Sequence, residues 1–230
     1  MRVLGLIPAR GGSRRVESKN LAVLGGKTLV RRALETALAA GCFDTVALSS
    51  EDREILAQAD GLPEVVQIVR PPELATPAAL TYDAVVHALA TLEGEAGHAP
   101  FEAVAVVQCT SPFTAPEDLA GAVDLAERTG AGSVASVTRL DGVVHPLKLK
   151  RMEGERLVPF LEDDRMLPSH ELPPLWARNG SIYVSRRETI EAGSLDSADM
   201  RGLPMPPERS HDIDTPTDLA FAEFLLARGL

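Results

Sequence analysis

Two groups of residues in this chain are spaced for chemistry with phosphate and metal. The first is Arg10-Gly11-Gly12-Ser13-Arg14-Arg15, followed closely by Lys19-Asn20. It places Arg10, Arg14, Arg15 and Lys19 within ten residues of a chain whose formal net charge is −10. Paired glycines let a backbone turn tightly and aim N–H groups at anionic oxygens. Arginine grips phosphate through two parallel hydrogen bonds, and lysine acts as a mobile point charge. The loop lacks the Gly-Lys-Ser/Thr ending of a P-loop and the glycine spacing of a dinucleotide-binding turn. A solvated basic turn would have the same composition. The second group is Asp212-Ile213-Asp214. In an extended segment alternate side chains face the same way, so the two carboxylates project together. Their repulsion is relieved by a cation, and Mg²⁺ uses few protein ligands beside phosphate oxygens. Thr215, Pro216 and Asp218 are accounted for as the start of a helix, but that start gives no reason for two alternating aspartates before it.

Three further sets are less specific. Arg70-Pro71-Pro72-Glu73 reads as a rigid turn carrying one cation. Gln108-Cys109-Thr110-Ser111-Pro112 offers an amide and two hydroxyls, which suit sugar hydroxyls and an N-acyl group, or else a strand end leading into a helix. Cys109 has no nearby histidine to serve as a base and reads as a small packing residue. Asn179-Gly180 before an apolar run is an ordinary turn signal.

The elements that must hold these groups follow from periodicity. Short apolar runs at Val3–Ile7, Thr45–Leu48, Val65–Val69, Ala103–Val107 and Ser133–Val137 alternate with amphipathic stretches at Thr28–Ala40, Asp52–Ala59, Thr81–Leu92 and Pro116–Arg128. That alternation predicts parallel βαβ units and a doubly wound α/β sheet. Gly41 is placed to cap the first helix, and Thr114 with Glu117 has the spacing of a capping box. In such a sheet the ligand sits beyond the carboxyl ends of the strands, where the basic loop must lie. From Arg139 to Arg178 charged and proline-rich residues mix with isolated apolar ones and no period repeats, which predicts an inserted arm within a single 230-residue domain. Regular structure resumes at Gly180–Val184, with a short helix near Glu188 and a last helix from Thr215-Pro216 to Arg228.

Composition narrows the partners. A net charge of −10 argues against a protein that binds nucleic acid as its main activity. No stretch approaches about 20 uninterrupted apolar residues, so no membrane partner is expected. Two distant cysteines without metal-ligand spacing fit reduced thiols in a cytoplasm.

Ala9-Arg10-Gly11-Gly12-Ser13 with Lys19-Asn20 resembles the N-terminal signature of the acylneuraminate (CMP-sialic acid) cytidylyltransferases. Arg70-Pro71-Pro72, Gln108-x-Thr110-Ser111-Pro112, His145-Pro146-Leu147-Lys148, Asn179-Gly180 and Asp212-Ile213-Asp214 are similar to further blocks of that family, in the same order. The resemblance implies a Rossmann-like nucleotidyltransferase that joins an acidic nine-carbon sugar to CTP and releases pyrophosphate with Mg²⁺. It implies that Arg10, Gly11, Gly12, Ser13, Arg14, Lys19 and Asn20 surround the CTP phosphates and ribose, with Arg70 and Thr81 also on the nucleotide. Gln108, Thr110, Ser111, Lys148 and Asn179 would meet the sugar, Asp212 and Asp214 would hold the metal, and Arg10 and Lys19 would stabilise the leaving group. The family's homodimers, in which the insertion crosses to the partner, imply an association role for the arm. Departures are visible: Arg14-Arg15 replaces a lysine and a glycine, Pro77 stands where the family usually has an aspartate, and Cys109 replaces a proline. The family's arginine near Pro168–Glu171 is absent, with Arg165 and Arg178 as the neighbouring substitutes. Legionaminate, pseudaminate or an octulosonate as substrate, another nucleotide, a glycosyltransferase using Asp-x-Asp, and a nucleotide-binding regulator are the other readings.

Overall fold

The computed structural model describes residues 1–12, 18–94, 99–140, 144–161 and 167–229. Seven strands form its central sheet: β1 (Val3–Pro8), β2 (Thr45–Ser50), β3 (Val65–Val69), β4 (Ala103–Val107), β5 (Ser133–Arg139), β6 (Trp176–Arg186) and β7 (Arg201–Pro204). Their spatial order is β7-β5-β6-β4-β1-β2-β3. All neighbours pair in parallel except β6, which runs antiparallel to both β4 and β5. The sheet is mostly parallel, as the alternation of apolar runs predicts.

Side-chain alternation divides the core between the two faces of the sheet. Val3 and Ile7 of β1, with Ala103, Ala105 and Val107 of β4, join one apolar cluster; Leu4 and Leu6, with Val104 and Val106, join the other. The first face is covered by α1 (Leu29–Ala40), α2 (Arg53–Leu56), α4 (Pro116–Thr129) and α6 (Pro216–Ala227), and the second by α3 (Thr81–Glu93) and α5 (Arg187–Glu191). Both faces of β1 and β4 are therefore dry, which is why these strands read as continuous apolar runs.

Helix boundaries follow local chemistry. The Thr28 hydroxyl accepts the Arg31 N–H at the start of α1, and Gly41 closes its end in the left-handed region. At α4 the predicted Thr114–Glu117 capping box is not formed. Ala115 is the cap position and its N–H is taken by the Asp118 carboxylate, while the Thr114 hydroxyl bonds Ser111 and Ser181. Thr114 is buried, so its hydroxyl finds partners in the core instead.

Between β5 and β6 the chain leaves the sheet at its carboxyl edge. A two-stranded hairpin, Lys150–Glu153 with Arg156–Pro159, forms there where the sequence showed no period. Most of its side chains are exposed, so no buried face existed to impose alternation. Arg139 and Arg178 lie within β5 and β6. The four-residue strand β7, unpredicted, sits at the sheet edge, where its Gly202 and Pro204 are tolerated. Among the described residues no helix is long and apolar enough to cross a membrane.

Candidate active site

Strands β2 and β3 lie to one side of β1 and β4 to the other, so the chain reverses direction across the sheet between β1 and β4. The carboxyl ends of the strands at such a reversal open a crevice. A cavity of about 460 Å³ occupies it, lined by Pro8, Arg10, Gly12, Lys19, Asn20, Arg70, Thr81, Gln108, Thr110 and Asp214, with Leu74, Pro77, Ala79 and Leu80 as an apolar wall. A larger recess of about 590 Å³ lies at the opposite edge, beside Phe101, Glu102, Glu127 and Glu191. The edge rule and the gathering of cations favour the smaller one.

The basic loop enters the cavity directly from β1. Arg10 is exposed, and its Nη1 donates to the Thr76 carbonyl at 2.7 Å. Asn20 donates to the Arg10 carbonyl at 2.9 Å, tying the two ends of the loop together. Ser13, Arg14 and Arg15 lie outside the described residues. The Gly11 N–H, expected to face phosphate oxygens, donates to the Glu51 carboxylate at 2.8 Å. Gly11 is a glycine for a second reason: a Cβ there would lie 2.8 Å from Asp52 Oδ2.

Lys19 comes from the same loop and meets the other end of the chain. Its Nζ lies 3.0 Å from Asp214 Oδ1, joining positions 195 residues apart. The acidic segment is held by its middle residue: Ile213 is fully buried and donates its N–H to the Thr110 carbonyl at 2.8 Å, just past β4. With Ile213 turned into the core, alternation turns the two aspartates away from it. Asp214 lines the cavity, whereas Asp212 does not, and Asp212 Oδ1 is buried with no hydrogen-bond partner. Thr215 and Asp218 then cap α6 reciprocally, and bonds from the Thr215 hydroxyl and nearby backbone hold the Asp218 carboxyl below the usual range. His211 bonds the Asp218 carbonyl and packs edge-on against Phe221.

Arg70 is almost wholly buried, with Nη2 donating to the Ser49 carbonyl at 2.7 Å. Burial pulls its pKa down, the Glu51 charge opposes that, and Arg10 adds to it. Thr81 opens α3 at the cavity rim. The cavity thus gathers Arg10, Lys19 and Arg70 against Asp214, an excess of positive charge suited to a polyanion.

The residues expected to meet the sugar divide. Gln108 and Thr110 line the cavity; Ser111, Asn179 and Lys148 do not. Ser111 is buried, its hydroxyl without a partner, in a small void between β4 and α1. Asn179 is also buried: its Oδ1 accepts from Ser136 at 2.6 Å and its Nδ2 donates to Ser210 at 2.9 Å. It ties β5 to the approach of the Asp212–Asp214 segment, because its polar groups are consumed by the fold. Lys148 bonds Ser169 at 2.9 Å within the arm. His145 is buried and bonded to Pro173 and Leu147, a structural residue. Arg178 pairs with Asp196 at 2.8 Å, so its charge is already met, and Arg165 lies outside the described residues. Cys109 is buried and its thiol is pushed up to about 12, as befits a packing residue. The sequence reading missed Glu51, although an acid directly after an apolar strand places it at this same edge.

A sheet of this order with a polyanion-type cavity at its reversal point defines a Rossmann-like nucleotidyltransferase. A family model for cytidylyltransferases matches residues 4–153, and the chain belongs to that family. It is 32% identical over 228 residues to the CMP-N,N'-diacetyllegionaminic acid synthase of Legionella pneumophila, covering 98% of this chain and 97% of that protein. It is 31% identical over 229 residues to N-acylneuraminate cytidylyltransferase A of Danio rerio, covering 96% of this chain but 50% of that longer one. The solved structure of a CMP:2-keto-3-deoxy-manno-octonic acid synthetase complexed with CTP superposes with a TM-score of 0.72 at 17% identity, covering 100% of both chains, and shares the fold.

Proposed function

We propose that this enzyme transfers the cytidylyl group of CTP to an acidic nine-carbon ulosonic acid, of the N-acylneuraminate or legionaminate kind, giving a CMP-sugar and pyrophosphate. The observation that carries the reading is the meeting of Arg10, Lys19 and Arg70 with Asp214 in one cavity. In the proposed reaction the sugar's anomeric hydroxyl attacks the α-phosphorus, the bond from that phosphorus to the bridging oxygen breaks, and pyrophosphate departs. Arg10 and Lys19 stabilise the triphosphate and the departing charge from fixed positions. The apolar wall of Leu74, Pro77 and Leu80 excludes water beside the nucleotide. The hydroxyl proton is assigned to one aspartate of the doublet or to water held by it.

Mg²⁺ fits the residues present. Asp212 Oδ1 is a buried carboxylate oxygen with no donor, a group that a cation satisfies. No group of three His, Cys, Asp or Glu side chains that could hold an ion forms among the described residues, in keeping with a metal that takes most of its ligands from phosphate and water. Asp212 and Asp214 would hold it, and when bound it supplies charge neutralisation at the phosphate oxygens and lowers the pKa of a hydroxyl in contact with it.

The reading extends to a homodimer and a cytoplasmic enzyme. Val144, Leu149, Met152, Leu157, Phe160, Leu161 and Trp176 are half of the exposed large apolar side chains among the described residues, gathered on one arm. A patch of that kind marks an association surface. The cytoplasmic placement rests on two free cysteines.

The test is incubation with CTP, Mg²⁺ and a panel of ulosonic acids, following pyrophosphate and the mass of any CMP-sugar. Pyrophosphate release with CTP alone among the triphosphates is expected. Nucleotide binding without turnover on any acid would favour a regulator.

A further inference from the structure

The basic loop is not free to settle where it pleases. Its Gly11 rests on the end of β2, where Glu51 Oε1 accepts the Gly11 N–H and Asp52 leaves no room for a Cβ. The same strand end supports the rest of the site. The Ser49 carbonyl accepts from the Ala9 N–H at 3.0 Å and from Arg70 Nη2 at 2.7 Å, and the Ser50 carbonyl accepts the Arg70 N–H. Residues 49–51 therefore join the loop on one side to Arg70 on the other.

Glu51 itself is outside the cavity lining. Its second oxygen, Oε2, is buried without a hydrogen-bond partner, and Arg70 Nε is buried in the same condition. A dry, half-used carboxylate is costly and is retained where its other bond or its charge is needed. The Glu51 charge supports the charged form of Arg70, and the Arg10 charge opposes it.

We infer that Glu51 is a positioning residue for nucleotide binding, a brace that fixes Gly11 and hence the direction of Arg10 and Gly12 before the triphosphate arrives. The inference rests on the cytidylyltransferase reading of the cavity and adds to it a residue that touches no substrate. Glu51 presets the loop, so its removal costs nucleotide affinity more than turnover. It is placed to act on the CTP side: among the described residues it bonds Gly11 and neither Gln108 nor Thr110.

The experiment compares the wild type, Glu51→Ala and Glu51→Gln, reading CTP binding by calorimetry and steady-state constants for both substrates. The glutamine keeps an oxygen for the Gly11 N–H and removes the charge. For Glu51→Ala, CTP binding should weaken about tenfold, the scale of a lost hydrogen bond to a charged group. Its KM for CTP should rise in step, with kcat and the sugar KM within about threefold, and amide exchange at Gly11 should quicken. Glu51→Gln should recover CTP binding to within about threefold of the wild type. Equal or tighter CTP binding by Glu51→Ala overturns the inference, showing an idle carboxylate or one that competes with phosphate. A glutamine variant as weak as the alanine one also overturns it, assigning the effect to charge rather than the brace. If Glu51→Ala fails to fold, the glutamine variant alone decides, near-wild-type binding supporting the brace. Calorimetry reads binding without turnover, so a wild type that binds CTP and transfers nothing sinks the proposed reaction while leaving the brace measurable.

Discussion

The nucleotide side and the sugar side of the expected site are built differently. On the nucleotide side, Arg10, Gly12, Lys19, Asn20, Arg70, Thr81 and Asp214 reach one cavity from four separate stretches of chain. On the sugar side only Gln108 and Thr110 do so; Ser111 and Asn179 are absorbed into the core, and Lys148 lies out on the arm. The contrast follows from what holds each residue. Arg10 and Arg70 sit just past the ends of the parallel strands β1 and β3, whose register the pairing with β2 fixes. The arm carrying Lys148 packs little of itself and leaves its apolar side chains exposed. Within one chain the expected nucleotide residues share a cavity, while Lys148 of the expected sugar side bonds Ser169 out on the arm.

Substitutions on the two sides should separate them. Asp214→Asn has the largest expected effect, a loss of turnover of at least about a hundredfold with the fold retained. Near-normal turnover in that variant would remove the carboxylate from the chemistry. Arg10→Ala should raise the KM for CTP about tenfold and leave the sugar KM alone, since Arg10 is exposed and its side chain bonds the Thr76 carbonyl. Unchanged CTP kinetics would take the loop out of phosphate binding. On the other side, Leu157→Asp combined with Phe160→Asp should shift sedimentation from dimer to monomer and weaken sugar use without changing CTP affinity. A monomeric wild type would refute the role given to the arm. Asn179→Ala should lower stability by about 1–3 kcal/mol, because Ser136 and Ser210 lose their partner, and the melting temperature reports it. A sugar KM change with unaltered melting would return Asn179 to the sugar. The smallest effect belongs to Cys109: with its thiol pushed up to about 12, too little thiolate exists at pH 8 for alkylation, and labelling should appear only as pH approaches that value or the protein unfolds.

What the sequence made legible follows the same division. Strand β4 was bounded correctly from an apolar run alone, because both its faces are covered; β3 was bounded as well, although Val66 and Val69 on this edge strand are exposed. The Asp212–Asp214 doublet was readable because a period of two survives wherever an extended segment has a buried middle residue. Asn179 and Ser111 lie in the core outside the cavity lining, Asn179 with its hydrogen bonds already used, and a sequence records a polar group without its burial. Glu51 was overlooked since its effect on the loop passes through a backbone N–H, which carries no residue type. The arm hairpin left no period because neither of its faces is buried in the chain.

The bond between Lys19 and Asp214 makes the candidate pocket a matter of chain completion. The segment that matches the family, residues 4–153, supplies the cations and the amide but not the carboxylates. A fragment ending before Ile213 could still pair β1 to β4 and would lack both the acid and the strap to Thr110. On the proposed reaction, a polypeptide still short of its last helix would carry the cations without Asp214, and it would also lack the cover that α6 gives one face of the sheet.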